Sequence, residues 1–264
     1  MNLETLSYAV IQIALEAGDK ILAIYNQADF VVNDKLDNSP LTAADLASHH
    51  HIVEGLRQLT PDYPILSEES VQVPFTERQE WDTYWLVDPL DGTREFIKRN
   101  DQFAILIALI HEHEPVLGVV YAPALQELWV ASLGNGAYKL IGEELVPIHT
   151  RPLATPPVII GSNSHRDEIM PVFLANVGEH VYQTVGSIIK ACRVAEGDAD
   201  LYPRLGPTSE WDTAAAQIIV TEAGGHMVTT TNEPLRYNTK DSLLNPQFFV
   251  MGSEFHDWSQ YLPK

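Results

Sequence analysis

Three separate stretches of the chain place carboxylates where apolar sequence stops. In Trp85-Leu-Val-Asp-Pro-Leu-Asp-Gly-Thr93, Asp88 and Asp91 stand three residues apart, directly after the aromatic and β-branched run Tyr84 to Val87. Buried charges are paired or coordinate a metal. A set of oxygens suits Mg²⁺, which takes one or two carboxylates together with a substrate phosphate. Pro89 and Gly92 alone would indicate a turn, but a turn does not explain why apolar sequence should run into two acids. The proline predicts that the strand breaks directly after Asp88. Glu68-Glu69 likewise follows the short apolar run Pro64-Ile-Leu-Ser67. If the two strand ends meet, they pool their acids around cations. Asp212 precedes the apolar stretch Thr213 to Gly225 and would, taken singly, be the N-cap of a buried helix. A third acidic site entering a buried element makes a shared metal cluster the reading. Paired divalent cations suit hydrolysis of a phosphate monoester, whose own charge resists attack.

Other residues keep two readings. In Ser39-Pro-Leu-Thr-Ala-Ala-Asp45, Thr42 and Asp45 have capping-box spacing, and the cap is sufficient by itself. Asp45 at that helix start is also a candidate catalytic acid, and the roles are compatible. Ser162, His165 and Gly186 fall at strand-to-helix junctions, where hydroxyls and helix N-termini can cradle phosphate or simply cap helices. His49, His50 and His51 point about 100° apart on a helix and cannot converge on one ion. His111-Glu-His-Glu114 lies between two strand-like runs and reads as a polar hairpin turn.

These residues need positioning elements. Leu3, Leu6, Val10, Ile13, Ala17, Ile21 and Ile24 recur at three- and four-residue steps and predict a helix with one apolar stripe. A short strand within 30–38, with a loop carrying Lys35, leads to a second helix ending near Leu59. Strands at about 103–110, 116–121 and 127–132, then a Gly134-Asn-Gly136 turn and another strand, form an antiparallel meander. Thr150-Arg-Pro-Leu-Ala-Thr-Pro-Pro157 is proline-dense and marks a boundary between halves 1–150 and 151–264. Beyond it, strands 158–161 and 181–185 alternate with helices ending near 176 and 196, which reads as α/β layering.

The 264 residues include 16 basic and 36 acidic ones, a formal charge of −20. That argues against general affinity for nucleic acid or anionic membrane, but not against a small anion, because a bound cation reverses the local field. Cys192 is the single cysteine, so no intrachain disulfide forms. The N-terminus lacks signal-peptide character and no run approaches the ~20 apolar residues of a membrane helix. A cytoplasmic protein is expected, with peripheral attachment to the inner membrane, and monomer or homodimer, left open.

Trp85 to Thr93, Glu68-Glu69 and Trp211-Asp-Thr-Ala-Ala-Ala…Glu-Ala-Gly-Gly225 together resemble, in order and separation, the three signatures of the inositol-monophosphatase-like superfamily of metal-dependent, lithium-sensitive phosphatases. Asp91-Gly-Thr-Arg-Glu-Phe96, Ser39-Pro-Leu-Thr-Ala-Ala-Asp45, Phe96-Ile-Lys-Arg-Asn100 and Ser164-His-Arg-Asp167 are similar to its bisphosphate nucleotidases. The resemblance implies a mixed α+β and α/β fold, a layered αβαβα sandwich with the site between its halves. It implies Mg²⁺ ligands at Glu68, Asp88, the Leu90 carbonyl, Asp91 and Asp212. Asp45 and Thr93 would activate the attacking water. Substrate would touch Glu68, Asp91, Gly92, Thr93 and Asp212, with Ser162, His165, Gly186 and Lys190 on the nucleotide side. The implied substrate is 3'-phosphoadenosine 5'-phosphate, in sulfur assimilation.

Inositol monophosphatase is the nearest alternative, and Arg94-Glu95 argues against it by resemblance alone. In haloacid-dehalogenase phosphatases the acids stand one residue closer, so the nucleophile would be misplaced here. A metal- or nucleotide-binding protein without catalysis would not need Asp45 and Thr93 beside every acidic position.

Overall fold

The structure, a computed structural model, describes residues 2–28, 32–34, 40–70, 73–162 and 169–263. Helix α1 (Leu3–Tyr25) starts where the Asn2 side chain accepts the Thr5 N–H, and it buries Leu6, Val10, Ala14, Ala17 and Ile21 along one stripe. β1 (Val32–Asp34) pairs antiparallel with β2 (Pro40–Thr42), which runs into α2 (Ala43–Leu59). On α2 the three histidines diverge as expected. His49 is buried with Nδ1 2.9 Å from Ser67 Oγ, His50 is exposed, and His51 Nε2 lies 3.0 Å from Glu16.

β3 (Ile65–Ser67), α3 (Phe75–Arg78), β4 (Thr83–Asp91) and α4 (Thr93–Ile97) come next. The meander follows as β5 (Ala104–His111), β6 (Glu114–Ala122), β7 (Glu127–Ser132), β8 (Ala137–Ile141) and β9 (Glu144–Pro147). β3 runs parallel to β4, and every other pairing in this seven-stranded sheet is antiparallel. At the β5–β6 hairpin Glu112 and His113 have φ of 49° and 69°, the left-handed pair a two-residue turn uses. Both faces of β5 are covered, which is why Ala104 to Ile110 is apolar without alternation.

The remaining elements are β10 (Val158–Gly161), α5 (Ile169–Val177), β11 (Val181–Thr184), α6 (Ile189–Ala195), β12 (Leu201–Arg204), a 3₁₀ turn (Glu210–Asp212), α7 (Ala214–Glu222), β13 (His226–Thr229), β14 (Phe248–Met251) and a 3₁₀ turn (Trp258–Tyr261). They build a five-stranded sheet in the order β11-β10-β12-β14-β13. β10, β11 and β12 are parallel, in keeping with the predicted α/β layering. β14 is antiparallel to both its neighbours, so this sheet is mixed.

Three apolar clusters define the layers. Trp85, Val87, Ile105 and Ile107 face α1 and α2. Leu86, Ala104, Leu106 and Ala108 face the other way, onto α6, α7 and the inner face of the second sheet. Ile159, Leu201 and Phe249 pack on Phe173 of α5 and on Trp258. The order is helix, sheet, helix, sheet, helix, the αβαβα sandwich that the resemblance implies. Among the described residues no helix is long and apolar enough to cross a membrane.

Candidate active site

Residues three apart on a regular strand point to opposite faces, so Asp88 and Asp91 should diverge. They do not, because β4 does not stop at Pro89 as its sequence predicts. The strand runs on to Asp91 through a bulge, where Asp88 stands opposite Leu106 and Asp91 opposite Ala104. Two residues on β4 therefore face one on β5, and the extra residue returns Asp91 to the face of Asp88. Pro89 has no N–H for the ladder and fits at a bulge. Its carbonyl accepts the Ser48 hydroxyl at 2.8 Å. Asp88 Oδ1 accepts the Leu90 N–H at 3.0 Å, which holds the bulge closed from within.

The parallel pairing of β3 with β4 sets Ser67 beside Val87, and the Glu68 N–H donates to the Val87 carbonyl. Glu68 thus leaves its strand beside Asp88, so the two strand ends do meet. Asp212 arrives from the second half. It is not the N-cap of α7, which is Thr213. Its carboxylate instead reaches back to the Ser209 N–H at 2.8 Å, capping the 3₁₀ turn in which it lies. The acids act on one another. Burial first, then Glu68, Asp91 and Asp212, push the Asp88 carboxyl well above the usual range. Burial, Asp91 and Glu68 do the same to Asp212. Burial also raises Asp91, against hydrogen bonds from Ser187 and Ile188 that favour its charged form.

Asp45 meets both of its sequence readings. Its Oδ2 accepts the Thr42 N–H at 2.7 Å and the Thr42 hydroxyl at 2.6 Å, completing the capping box of α2. Its Oδ1 accepts the Thr93 hydroxyl at 3.2 Å, and Thr93 Oγ1 is also 3.3 Å from the Leu90 carbonyl. Thr93 opens α4 after Gly92, whose φ of 92° is open to glycine at little cost. Thr93 lines the cavity, and buried Asp45 stands behind it.

Glu68, Asp88, Leu90, Asp91, Gly92, Thr93, Ser162, Lys190 and Asp212 all line one cavity of about 250 Å³. His165, like Lys35 and the Ser164 to Asp167 stretch, lies outside the described residues. Gly186 is not on the cavity wall. A Cβ there would come within 2.7 Å of Glu95 Cγ and 2.9 Å of the Gln102 carbonyl, and its N–H donates to Gln102 Oε1 at 2.7 Å. It lets the next turn close onto β4, where the Ser187 hydroxyl and the Ile188 N–H (2.6 Å) both donate to Asp91 Oδ2. Lys190 turns its ammonium to the Val185 and Ser187 carbonyls, 5.1 Å from the centre of the Tyr202 ring. Burial lowers its pKa to about 8.

Sequence reasoning missed Ser187, Tyr202, Arg204 and Thr208, which share the cavity, as do Arg94 and Glu95. Arg204 ends strand β12, so the strand-end signal that singled out Asp88 and Glu68 would have found it. Ser187 carries no such signal. It holds a left-handed φ of 56° that only the packed turn reveals.

The donor set is one of hard oxygens whose mutual repulsion calls for cations. Among the described residues no three acidic, His or Cys groups form a ready cage for one ion. Asp88, Asp91 and Asp212 are each held by neighbouring backbone N–H groups. Mg²⁺ needs no cage, since it binds through one or two carboxylates and completes its shell with water and phosphate. The residues fit that ion.

The sequence matches the inositol monophosphatase family over residues 2–257. It is similar to the 3'(2'),5'-bisphosphate nucleotidase CysQ of Salmonella typhimurium, 48% identical over 242 residues, 91% of this chain and 97% of the relative. Its fold is similar to that of CysQ from Bacteroides thetaiotaomicron, with a TM-score of 0.85 and 40% identity over 96% of this chain and 99% of that one. It is also similar to an inositol monophosphatase from Anabaena, with a TM-score of 0.79 and 26% identity over 100% of this chain and 98% of that one. The acid-lined cavity thus sits in a fold and a sequence shared with these proteins along almost their whole length, and the chain belongs to the inositol monophosphatase family.

Proposed function

We propose that the chain is a 3'(2'),5'-bisphosphate nucleotidase that hydrolyses 3'-phosphoadenosine 5'-phosphate to AMP and phosphate with Mg²⁺. The observation that carries this reading is the mixed lining of one cavity. Glu68, Asp88, Asp91 and Asp212 line it together with the basic side chains of Arg94, Lys190 and Arg204. The acids suit cations and the bases suit a second phosphate. The greater identity to CysQ proteins than to the Anabaena inositol monophosphatase supports the nucleotide as substrate. On this reading residues 1–150 and 151–264 are two halves that share the site, the enzyme is lithium-sensitive, and it works in the cytoplasm on a by-product of sulfur assimilation.

Glu68, Asp88, the Leu90 carbonyl, Asp91 and Asp212 would hold divalent ions, which when bound would supply Lewis-acid charge for attack of water on the phosphate. The chain itself handles the proton. Thr93 Oγ1 accepts a proton from the water and passes its own to Asp45 Oδ1, 3.2 Å away. Thr42 holds the other oxygen of Asp45, so the accepting one stays aimed at Thr93. The water oxygen bonds to phosphorus as the bond to the 3'-oxygen breaks, and that oxygen regains a proton from solvent. Lys190 and Arg204 orient the substrate, a contribution of placement rather than bond chemistry.

Phosphate release in Mg²⁺ is expected to be faster from 3'-phosphoadenosine 5'-phosphate than from inositol 1-phosphate. The reverse preference would sink the nucleotidase reading in favour of an inositol phosphatase. A second expectation concerns Gly186→Ala. The new methyl must push the 186–188 turn away from Glu95 and Gln102, taking Ser187 and Ile188 off Asp91. Displacement on the order of 1 Å near a reacting centre costs about 10²-fold in rate, and overpacking costs about 1–3 kcal/mol of stability. Wild-type kcat in this variant would show that the turn does not position Asp91.

A further inference from the structure

We propose that Glu210, which does not line the cavity, is the positioning residue that holds Asp212 at the metal site. The proposal rests on reading Asp212 as a metal ligand. Glu210 is fully buried, two residues before Asp212 and in the same three-residue 3₁₀ turn. A turn this short does not define its own place. It is fixed from outside by the segment 238–245. Glu210 Oε2 accepts the Asn238 N–H at 2.8 Å, the Glu210 N–H donates to the Leu243 carbonyl at 2.8 Å, and Asn245 Nδ2 donates to the Ser209 carbonyl at 2.7 Å.

Asn238 is itself immobilised. It holds a left-handed φ of 54°, its Oδ1 accepts from the Arg78 guanidinium, and its Nδ2 donates to the Arg78 carbonyl. Arg78 closes α3, is buried, and also donates to the Asp241 carbonyl. A continuous polar path therefore runs from α3 through Asn238 and Glu210 to the turn that presents Asp212.

A carboxylate is an expensive choice for a purely structural anchor. Taking it out of water costs several kcal/mol unless a close partner offsets it. Its cationic neighbour Lys240 stands 3.5 Å away and is itself 44% exposed. Arg78 Nε is buried without a hydrogen-bond partner. An apolar residue in its place would leave the buried Asn238 N–H without its acceptor and the turn without this tie. What the carboxylate adds is a directed acceptor at full Glu reach, two residues from Asp212.

Partners that orient metal ligands typically change metal affinity or activity by about 10–100-fold when removed. The decisive comparison is Glu210→Asp, which keeps the charge but shortens the reach, against Glu210→Gln, which keeps the reach without the charge. Mg²⁺ binding is read by titration calorimetry with MgCl₂ on the full chain, alongside the Mg²⁺ requirement of phosphate release and the substrate KM at saturating Mg²⁺. Glu210→Asp and Glu210→Ala are expected to weaken Mg²⁺ binding about tenfold or more by calorimetry and in the activation curve. KM stays within about twofold, while Glu210→Gln binds Mg²⁺ within about threefold of wild type. The Asp and Gln variants decide the matter if Glu210→Ala does not fold.

Wild-type Mg²⁺ affinity in Glu210→Asp overturns the proposal. So does a Glu210→Gln variant as impaired as Glu210→Asp, since charge rather than position would then be at work. A wild-type chain that binds Mg²⁺ without releasing phosphate from the bisphosphate overturns the nucleotidase reading alone. Calorimetry on the variants still decides the role of Glu210 in that case.

Discussion

Asp91→Asn is expected to lower Mg²⁺-dependent phosphate release about a thousandfold while the chain stays folded, because a catalytic ion supplies several kcal/mol of charge stabilisation and about 4 kcal/mol is a thousandfold. The side chain has a local job that asparagine can keep. Asp91 Oδ2 accepts the Ser187 hydroxyl and the Ile188 N–H, and an amide oxygen offers the same acceptor at the same reach. Burial already disfavours the charged form of Asp91, and Glu95 repels it. Loss of the charge therefore leaves the local contacts in place and removes a ligand from the ions. Thermal melts separate these effects. Mg²⁺ at a hundred times its Kd stabilises by about 2.7 kcal/mol, roughly 5–10 °C in Tm for a chain of this size. The variant should melt like the wild type without Mg²⁺ and lose most of that increment with it. Unimpaired turnover would remove Asp91 from the site.

Asp45→Asn is expected to lower kcat by about 10²–10⁴-fold, the range of a positioned general base, with substrate KM little changed. Asp45 accepts at both oxygens, from Thr42 on one side and Thr93 on the other. Asparagine has one acceptor and one donor group. With its oxygen kept on the Thr42 N–H, its NH₂ faces Thr93, and the hydroxyl can no longer pass a proton in that direction. With the amide reversed, the Thr42 N–H loses its acceptor and the Asp45 half of the capping box of α2 is lost, while Thr42 still caps the Ala44 N–H. Either orientation breaks one of two functions that the carboxylate combines. A variant with wild-type kcat would show that Asp45 is a cap and nothing more.

The acids were legible because each interrupts an apolar run at a strand or helix end, a pattern that needs no knowledge of distant sequence. Asp88, Asp91, Glu68 and Asp212 all line the cavity that this pattern predicts. Asp45 was legible as a cap from its spacing to Thr42. Its approach to Thr93 spans 48 residues and depends on how α2 packs beside α4. Gly186 looked like part of an anion cradle, and its distances to Glu95 and Gln102 show it to be a point of close packing. Asp212 looked like the cap of α7 and proves to cap the turn before it. The last two strands of the second sheet were not read, because β13 and β14 are short and separated by irregular chain.

Composition, periodicity and motif order by themselves determined the two long N-terminal helices, the meander and the acidic character of the site. These depend on local preference and on which residue types can share a buried place. Tertiary structure alone decided where the side chains aim. The stretch Asp88-Pro-Leu-Asp91 read as a broken strand, yet pairing with β5 makes it a bulge, and the bulge turns both aspartates to one face. Glu68 joins them through a parallel neighbour, Asp212 through a turn held by residues 238–245. Direction is set by pairing and packing partners far away in sequence, which no local pattern encodes.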